Sequence, residues 1–183
     1  MSKIKRLLQS YSSFIAVPWR DDVAAPQRVI FCVYDKNDER ALRTKIDEFE
    51  LATREAGHSW ALFDLTDTFA NWLAPQRYAE NYFRQPDRLS TLLPQYQTFI
   101  AQNFAAFIEE NAIGADTVVA LAGVGTLYGF LKVRDVVDVL APMVKGRLLL
   151  FFPGSYENNN YRLLDASVGW NYLAVPITAD KDF

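Results

Sequence analysis

Three glycines follow a short apolar run near the middle of the chain, at a spacing that could bind phosphate. Gly123, Gly125 and Gly129 form the pattern G-x-G-x-x-x-G directly after the run TVVALA at Thr117–Ala122. A glycine turn between a strand and a helix can present backbone N–H groups to an anion. The candidate ligand-binding residues of this turn are Gly123, Val124, Gly125 and Thr126.

The same turn departs from the two common phosphate-binding motifs. Its spacing is one residue longer than the dinucleotide-binding fingerprint, and the next strand ends in Phe152-Pro153 rather than in an acidic residue. A P-loop lysine is also missing, because the nearest cation, Lys132, lies about two helical turns further on. The residues therefore favour a structural turn over an anion site, although both interpretations stay open.

Two aspartates stand at the ends of predicted strands, where they could hold a magnesium ion. Asp35 follows the apolar run Arg28–Tyr34, and Asp64 lies near the end of Trp60–Leu65. If both strands are parallel, the two carboxylates could converge at the carboxyl edge of the sheet. Most aspartates at strand ends instead cap the next helix or turn, and the residues after Asp64 are typical of a helix start.

The sequence shows no nucleophile or zinc site. His58 is the single histidine and Cys32 the single cysteine, and Cys32 falls inside an apolar strand. A zinc site or a Cys/His pair would need more ligands or a different placement. Ser155 follows Gly154 but does not stand in a G-x-S-x-G elbow. We therefore predict no catalytic residue, no metal, no cofactor and a protein that is not an enzyme.

The segment Pro153–Arg162 combines turn formers with residues that are common at interfaces. It holds three consecutive asparagines, two tyrosines and one arginine. Asparagine favours turns, whereas tyrosine and arginine are enriched among the residues that dominate binding energy at interfaces. A solvated loop and a recognition loop are both compatible with this composition. The candidate partner-binding residues are Tyr156, Asn158, Asn159, Tyr161 and Arg162.

The apolar pattern places these residues on an α/β fold. Thr117–Ala122 and Arg147–Phe152 are unbroken apolar runs, typical of strands that are buried on both faces. Between them, Thr126–Met143 has helical spacing, which predicts a strand–helix–strand crossover. Ligands of open α/β sheets meet the carboxyl ends of the strands, so Gly123–Thr126 and Pro153–Asn160 should lie at one edge.

Further elements extend this pattern in both directions. Residues 2–15 should form an amphipathic helix, a long helix should run from Asn37 or Asp38 to Ala56, and Asn171–Ile177 should form a last strand at an edge. Residues 66–111 show only helical spacing. We predict a three-layer α/β fold with a mostly parallel sheet of about five strands, similar to a degenerate P-loop or Rossmann fold without a Walker A motif.

Composition limits the classes of protein to which the chain can belong. Its 183 residues predict one domain, residues 1–183, and 50% apolar residues supply a core. A net charge of -3 argues against a nonspecific nucleic-acid binder. No segment has the apolar length of a membrane span or a signal peptide, and one cysteine suits a reducing compartment. We therefore expect a cytoplasmic protein without membrane contact.

Several motifs occur together between residues 120 and 174. They are Gly123–Tyr128 with Phe130, Leu131 and Arg134, then Phe152–Tyr156, Tyr161–Leu164 and Asn171-Tyr172. Together they resemble the BrxB family of bacteriophage-exclusion (BREX) systems, whose pattern has a G-V-G-x-x-Y-P turn, a strand ending F-x-P-G-x-Y, an L-R-L-F segment and a closing N-Y-Y-R-A. The chain departs from it at Gly129, at Tyr161 and at Leu173-Ala174.

This resemblance implies a cytoplasmic, non-enzymatic component of a multi-protein phage-defence system. Such a system also contains an alkaline-phosphatase-like protein of the PglZ type, a large ATPase and a DNA methyltransferase. The PglZ-like protein is the preferred direct partner, followed by the ATPase or the methyltransferase. The family's own fold looks like a nucleotide-binding sheet that has lost its Walker lysine.

Three hypotheses for the function follow. The first is an adaptor that binds another defence protein through the carboxyl-end loops and the helices of residues 66–111. The second is a protein that binds a nucleotide or phosphate ligand at Gly123–Thr126, with Asp35 or Asp64 holding magnesium. The third is direct DNA contact through a local basic patch, for which the candidates are Lys3, Lys5 and Arg6.

Overall fold

A six-stranded sheet lies between two layers of helices in a computed structural model that describes residues 1–77, 79–166 and 168–180. The strands are β1 (Val29–Tyr34), β2 (Ser59–Asp64), β3 (Thr117–Ala122), β4 (Arg147–Glu157), β5 (Asn160–Leu163) and β6 (Val175–Ile177). The α-helices are α1 (Lys3–Ile15), α2 (Glu39–Arg43), α3 (Ile46–Glu55), α4 (Thr68–Leu73), α5 (Ala79–Arg84), α6 (Leu93–Glu110) and α7 (Val133–Leu140).

The sheet is parallel except for β5. Its order is β2-β3-β4-β1-β6, and each neighbouring pair in that order is parallel. β5 pairs antiparallel with the end of β4. The prediction of an α/β fold with a mostly parallel sheet flanked by helices is therefore confirmed.

Alternate residues of the central strands face opposite helical layers. Ile30 and Cys32 point into the core under α1 and α3, whereas Phe31 and Val33 point into the core under α4, α6 and α7. All six residues of β1 and of β3 are buried. Burial on both faces explains the unbroken apolar runs in the sequence.

The segment after β3 does not form the single helix predicted for Thr126–Met143. It starts with a 3-10 turn at Val124–Leu127, continues without regular structure to α7, and ends with a second 3-10 turn at Ala141–Met143. Gly129 has a φ of +81°, which an α-helix cannot contain. The helix therefore begins at Val133, six residues after the first turn ends, rather than at the glycine turn.

The helix predicted from Asn37 or Asp38 to Ala56 is also divided. Asp35 caps a 3-10 turn at Lys36–Asp38, and α2 and α3 then follow with a break between them. The Thr44 hydroxyl donates a 2.7 Å hydrogen bond to the Ala41 carbonyl oxygen at this break. Such a local bond competes with the helix ladder and helps to end the helix.

The remaining helical and edge predictions agree with the structure. Residues 66–111 contain α4, α5, α6 and a 3-10 turn at Pro86–Thr91. β6 lies at the sheet edge and contains Pro176, but it is shorter than predicted. Among the described residues, no helix combines the length and the apolar character needed to cross a membrane.

Candidate partner-binding site

β4 continues beyond the body of the sheet and forms a hairpin with β5. Gly154–Glu157 pairs with Asn160–Leu163, and the turn between them consists of Asn158 and Asn159, with φ values of 50° and 64°. Asparagine tolerates this left-handed backbone better than other side chains, and a turn of this kind matches the twist of two strands. The interpretation of Pro153–Arg162 as a loop is therefore wrong, since most of this segment is strand.

Tyr161 fixes the hairpin to the core. Its side chain is 0% exposed, and its ring centroid lies 4.6 Å from that of Phe31 and 5.4 Å from that of Trp170. The backbones of Tyr161 and Trp170 exchange two hydrogen bonds of 2.7 and 3.0 Å. A fully buried side chain cannot touch another protein, so Tyr161 supports the surface that its neighbours form.

The other predicted partner-binding residues are accessible on the same hairpin. Tyr156 is half-buried, with its ring centroid 4.6 Å from that of Tyr161. Its hydroxyl donates a 3.1 Å hydrogen bond to Asn159 Oδ1. Asn158, Asn159 and Arg162 are exposed. Asn158 and Asn159 thus lie at the tip of the hairpin, next to Tyr156, whereas Arg162 lies opposite Ser155 and points away from the face that carries Tyr156 and Tyr161.

A cleft of about 820 Å³ opens beside the hairpin. The hairpin supplies Tyr156 and Asn159, and α7 supplies Arg134 and Asp138. The rest of the lining comes from Pro26 and from Asn171, Tyr172, Leu173 and Ala174. The cleft therefore combines a cation, a carboxylate, two amides, two aromatic rings and three apolar residues, a mixture that suits a protein segment better than a purely apolar ligand.

Tyr172 and Asp138 form the polar centre of this cleft. Burial raises the pKa of Tyr172, and the Asp138 carboxylate beside it raises the pKa further. The phenol therefore stays protonated at neutral pH and can donate to Asp138. Next to this pair, the Leu173 side chain is 79% exposed.

The glycine turn is closed by its own hydrogen bonds. The Thr126 N–H donates to the Gly123 carbonyl oxygen at 3.1 Å, and the Tyr128 N–H donates to the Gly125 carbonyl oxygen at 3.2 Å. Gly123 has a φ of +72°, and a Cβ atom there would lie 2.7 Å from Asp64 Oδ1. A carboxylate thus stands where an anion would approach, which favours a structural role for Gly123, Val124, Gly125 and Thr126.

Asp35 and Asp64 do not converge. β1 and β2 are separated by β3 and β4 in the sheet, and three strand spacings amount to roughly 14 Å. Asp35 accepts a 2.8 Å hydrogen bond from the Asn37 N–H, as a cap. Among the described residues, no group of three or more His, Cys, Asp or Glu side chains could hold a metal ion.

Asp64 is instead part of an ion pair at the carboxyl edge. Its Oδ2 accepts a 3.1 Å hydrogen bond from Arg43, and its Oδ1 accepts hydrogen bonds from the Thr66 N–H and hydroxyl. Burial opposes the ionisation of Asp64, but these hydrogen bonds and the Arg43 charge outweigh it and lower its pKa. Arg43 therefore already neutralises the negative charge of Asp64.

Sequence reasoning did not identify the cleft. Arg134 and Asn171-Tyr172 belong to the motifs that carry the family resemblance, but spacing alone could not show that α7 and the chain after β5 meet. Nothing in the sequence marked Asp138 or Leu173 as functional, because a charged helix residue and a single leucine are common in every domain.

Comparison with known proteins identifies the family. The family model described as "BREX protein BrxB" matches residues 62–175, which is more than half of the chain. No curated protein and no solved structure matches the chain. The matched range includes the hairpin and nearly all of the cleft. The chain therefore belongs to the BrxB family and is a component of a BREX phage-defence system.

Proposed function

We propose that this protein is a non-catalytic adaptor that binds another component of its BREX system through the hairpin and the adjoining cleft. The observation that carries the proposal is the position of Tyr156 and Asn159, which line a cleft of about 820 Å³ on a hairpin that the buried Tyr161 attaches to the core. Tyrosine and arginine dominate interface energies, and Arg134 lines the same cleft as these residues.

Several contacts hold this surface in one conformation. Tyr161 is buried below it, the Leu164 N–H donates a 2.8 Å hydrogen bond to the Pro153 carbonyl oxygen, and Lys36 forms an ion pair with Asp165 across the carboxyl edge. A surface that is already ordered loses little conformational entropy when a partner binds. The hairpin therefore suits specific recognition better than a mobile loop would.

The preferred partner is the alkaline-phosphatase-like protein of the PglZ type, followed by the large ATPase or the methyltransferase. This order rests on the family resemblance of the chain. The helices of residues 66–111 could enlarge the interface, because Phe83 on α5 is 65% exposed. The inner sides of these helices pack into the core through buried residues such as Trp72, Tyr96 and Phe104.

Co-expression with the PglZ-like protein of the same gene neighbourhood tests this proposal. A variant that carries Tyr156→Ala, Asn159→Ala and Arg162→Ala should weaken the complex at least about tenfold, since each side chain lies at the proposed contact. The control variant, Arg54→Ala, removes an exposed arginine of α3 that pairs with Glu50 on its own helix. It should bind like the wild type.

The thermal midpoints of both variants show whether the domain stays folded. Binding of the triple variant at wild-type strength would contradict the proposed surface. Loss of binding in both variants would do so as well, because the effect would then not be specific to the hairpin.

A further inference from the structure

Among the described residues, no strand pairs with β2 on one side of its backbone. β2 lies at the end of the sheet, and β3 is its neighbour. The N–H groups of Ser59 and Leu65 donate to backbone carbonyl oxygens at the two ends of β3, at 3.2 and 2.9 Å. In a parallel ladder, the N–H and C=O groups of alternate residues point to the same side. Those of Trp60, Leu62 and Asp64 therefore point away from β3.

In the part of the chain that the structure describes, this edge has no lysine, proline or bulge, and its charged residue, Asp64, lies at the end of the strand and pairs with Arg43. Natural edges carry lysine, proline, a bulge or a covering segment. The sequence of β2, SWALFD, has no lysine and no proline, and its register with β3 is continuous over six residues. The opposite edge differs, because β6 has three residues and contains Pro176. Leu62, in the middle of the open edge, is 36% exposed.

A groove of about 330 Å³ runs along the open edge. Ser59–Leu62 forms one wall, and Phe107 of α6 with Asn111–Ile113 after it forms the other. Asp116 is the charged residue of the lining, and the lining contains no cation. The groove can therefore take a side chain of a segment that lies beside the strand, and its acidic residue favours a basic one.

We propose that the edge of β2 is a second docking site, which binds an extended segment of a partner protein as an added strand. The open N–H and C=O groups of Trp60 and Leu62 recognise the backbone of this segment. The groove takes one side chain of this segment, and Asp116 pairs with a lysine or arginine of the segment. Backbone hydrogen bonds supply affinity in such complexes, and side-chain pockets supply specificity.

A second copy of this chain fits the edge less well than an extended segment does. Two six-residue edges are about 20 Å long and about 10 Å deep, so their pairing buries roughly 400 Å² in total. Stable interfaces bury at least about 1,000 Å². β2 also cannot fill the groove of another copy, because Phe63 on the groove side packs within 5.3 and 5.2 Å of Phe104 and Phe107.

The open edge is separate from the hairpin, which extends from β4 two strands away. The two surfaces can therefore be occupied at the same time, and the proposal for β2 does not depend on the function of the hairpin. Two independent surfaces would allow one adaptor molecule to join two proteins. Binding at β2 can be measured with peptides alone, without any other BREX component.

Selection of peptides from a random ten-residue display library tests the proposal. Selected peptides should combine alternating apolar residues with lysine or arginine. Leu62→Pro removes an outward N–H group but keeps the ladder to β3, and it should weaken peptide binding at least about tenfold. The matched control, Leu62→Ala, keeps that N–H group and should stay within about threefold of the wild type.

Amide hydrogen exchange gives a second measurement on the wild-type protein. Bound peptide should slow the exchange of the Trp60 and Leu62 amides and leave the Ala61 and Phe63 amides, already bonded to β3, unchanged. This exchange pattern tests the proposal even when the Leu62→Pro variant does not fold. The proposal is overturned if no peptide is selected, if peptides bind Leu62→Pro as tightly as the wild type, or if protection appears elsewhere.

Discussion

Tyr156 and Tyr161 stand opposite each other on the two strands of the hairpin, with ring centroids 4.6 Å apart, and one ring faces the cleft while the other is fully buried. This pair joins the candidate binding surface to the core of the domain. Because the two rings touch, movement of the exposed ring is limited by the buried one. Substitutions at the two positions should therefore separate binding from stability.

Truncation of Tyr161 should destabilise the fold. Tyr161→Ala removes a buried ring and should lower the free energy of unfolding by about 3–5 kcal/mol. Tyr161→Phe should be neutral or stabilising, because the Tyr161 hydroxyl has no hydrogen-bond partner among the described residues. Chemical denaturation of both variants measures this. Equal losses in the two variants would show that the hydroxyl, rather than the ring, stabilises the hairpin.

Ala112→Gly should stabilise the protein. Ala112 has a φ of 48° at the end of α6, where the Ile113 N–H donates to the Ile108 carbonyl oxygen. Glycine is the usual residue at this position of a helix end, since a side chain there is strained by about 1–2 kcal/mol. After the extra entropy of an unfolded glycine is subtracted, we expect a gain of about 0.5–1 kcal/mol.

A glycine inside the same helix provides the control for this prediction. Ala106 is exposed within α6, so Ala106→Gly should cost about 1 kcal/mol. Thermal or chemical unfolding should therefore move in opposite directions for the two variants. A loss of stability in Ala112→Gly would contradict the assignment of strain to this helix end.

His58 should make the fold less stable in mild acid. Its ring stacks on Trp19 at 3.7 Å, and burial lowers its pKa below 6.5, with Arg147 adding to this effect and Asp116 opposing it. The unfolded chain therefore binds a proton at a higher pH than the folded chain does. The free energy of unfolding should fall as the pH drops through and below the unfolded value.

His58→Phe keeps a ring on Trp19 but does not titrate. Between about pH 7.5 and about pH 5.5, its unfolding free energy should decline less steeply than that of the wild type. Chemical denaturation across this range provides the comparison. Parallel curves for the two proteins would show that the environment of His58 does not favour its neutral form.

Nucleotides should not stabilise the domain. The Thr126 and Tyr128 N–H groups are bonded within the glycine turn, and Asp64 stands against Gly123. Millimolar ATP or GTP with magnesium should therefore shift the thermal midpoint by less than about 1 °C, since only a ligand bound to the folded state raises it. A rise that grows with nucleotide concentration would contradict the structural role of this turn.

The strands were predictable where burial on both faces gives a continuous apolar run. Thr117–Ala122 is a strand with the predicted bounds. The part of β4 beyond Phe152 was not predictable in this way, because Gly154–Glu157 alternates between the core side and solvent. The separation of Asp35 from Asp64 was not predictable for another reason. The strand order in the sheet differs from the order along the chain, and β1 lies between β4 and β6.

The candidate site was predictable only in part. The composition of the hairpin indicated Tyr156, Asn159 and Arg162 as surface residues, but it could not show that Tyr161 points inward. Convergence of Arg134 and Tyr172 on the same cleft depends on how α7 packs against the chain after β5. Such long-range contacts leave no local pattern in a single sequence.

Site-specific photo-crosslinking in the co-expressed complex tests the central claim most directly. A photoreactive amino acid in place of Asn159 should form a covalent product with the PglZ-like protein or another BREX component, because Asn159 lies at the proposed contact. The same amino acid in place of Arg54, on the far helical layer, should give no such product. A crosslink from position 54 and none from position 159 would contradict the account of the hairpin as the partner-binding surface.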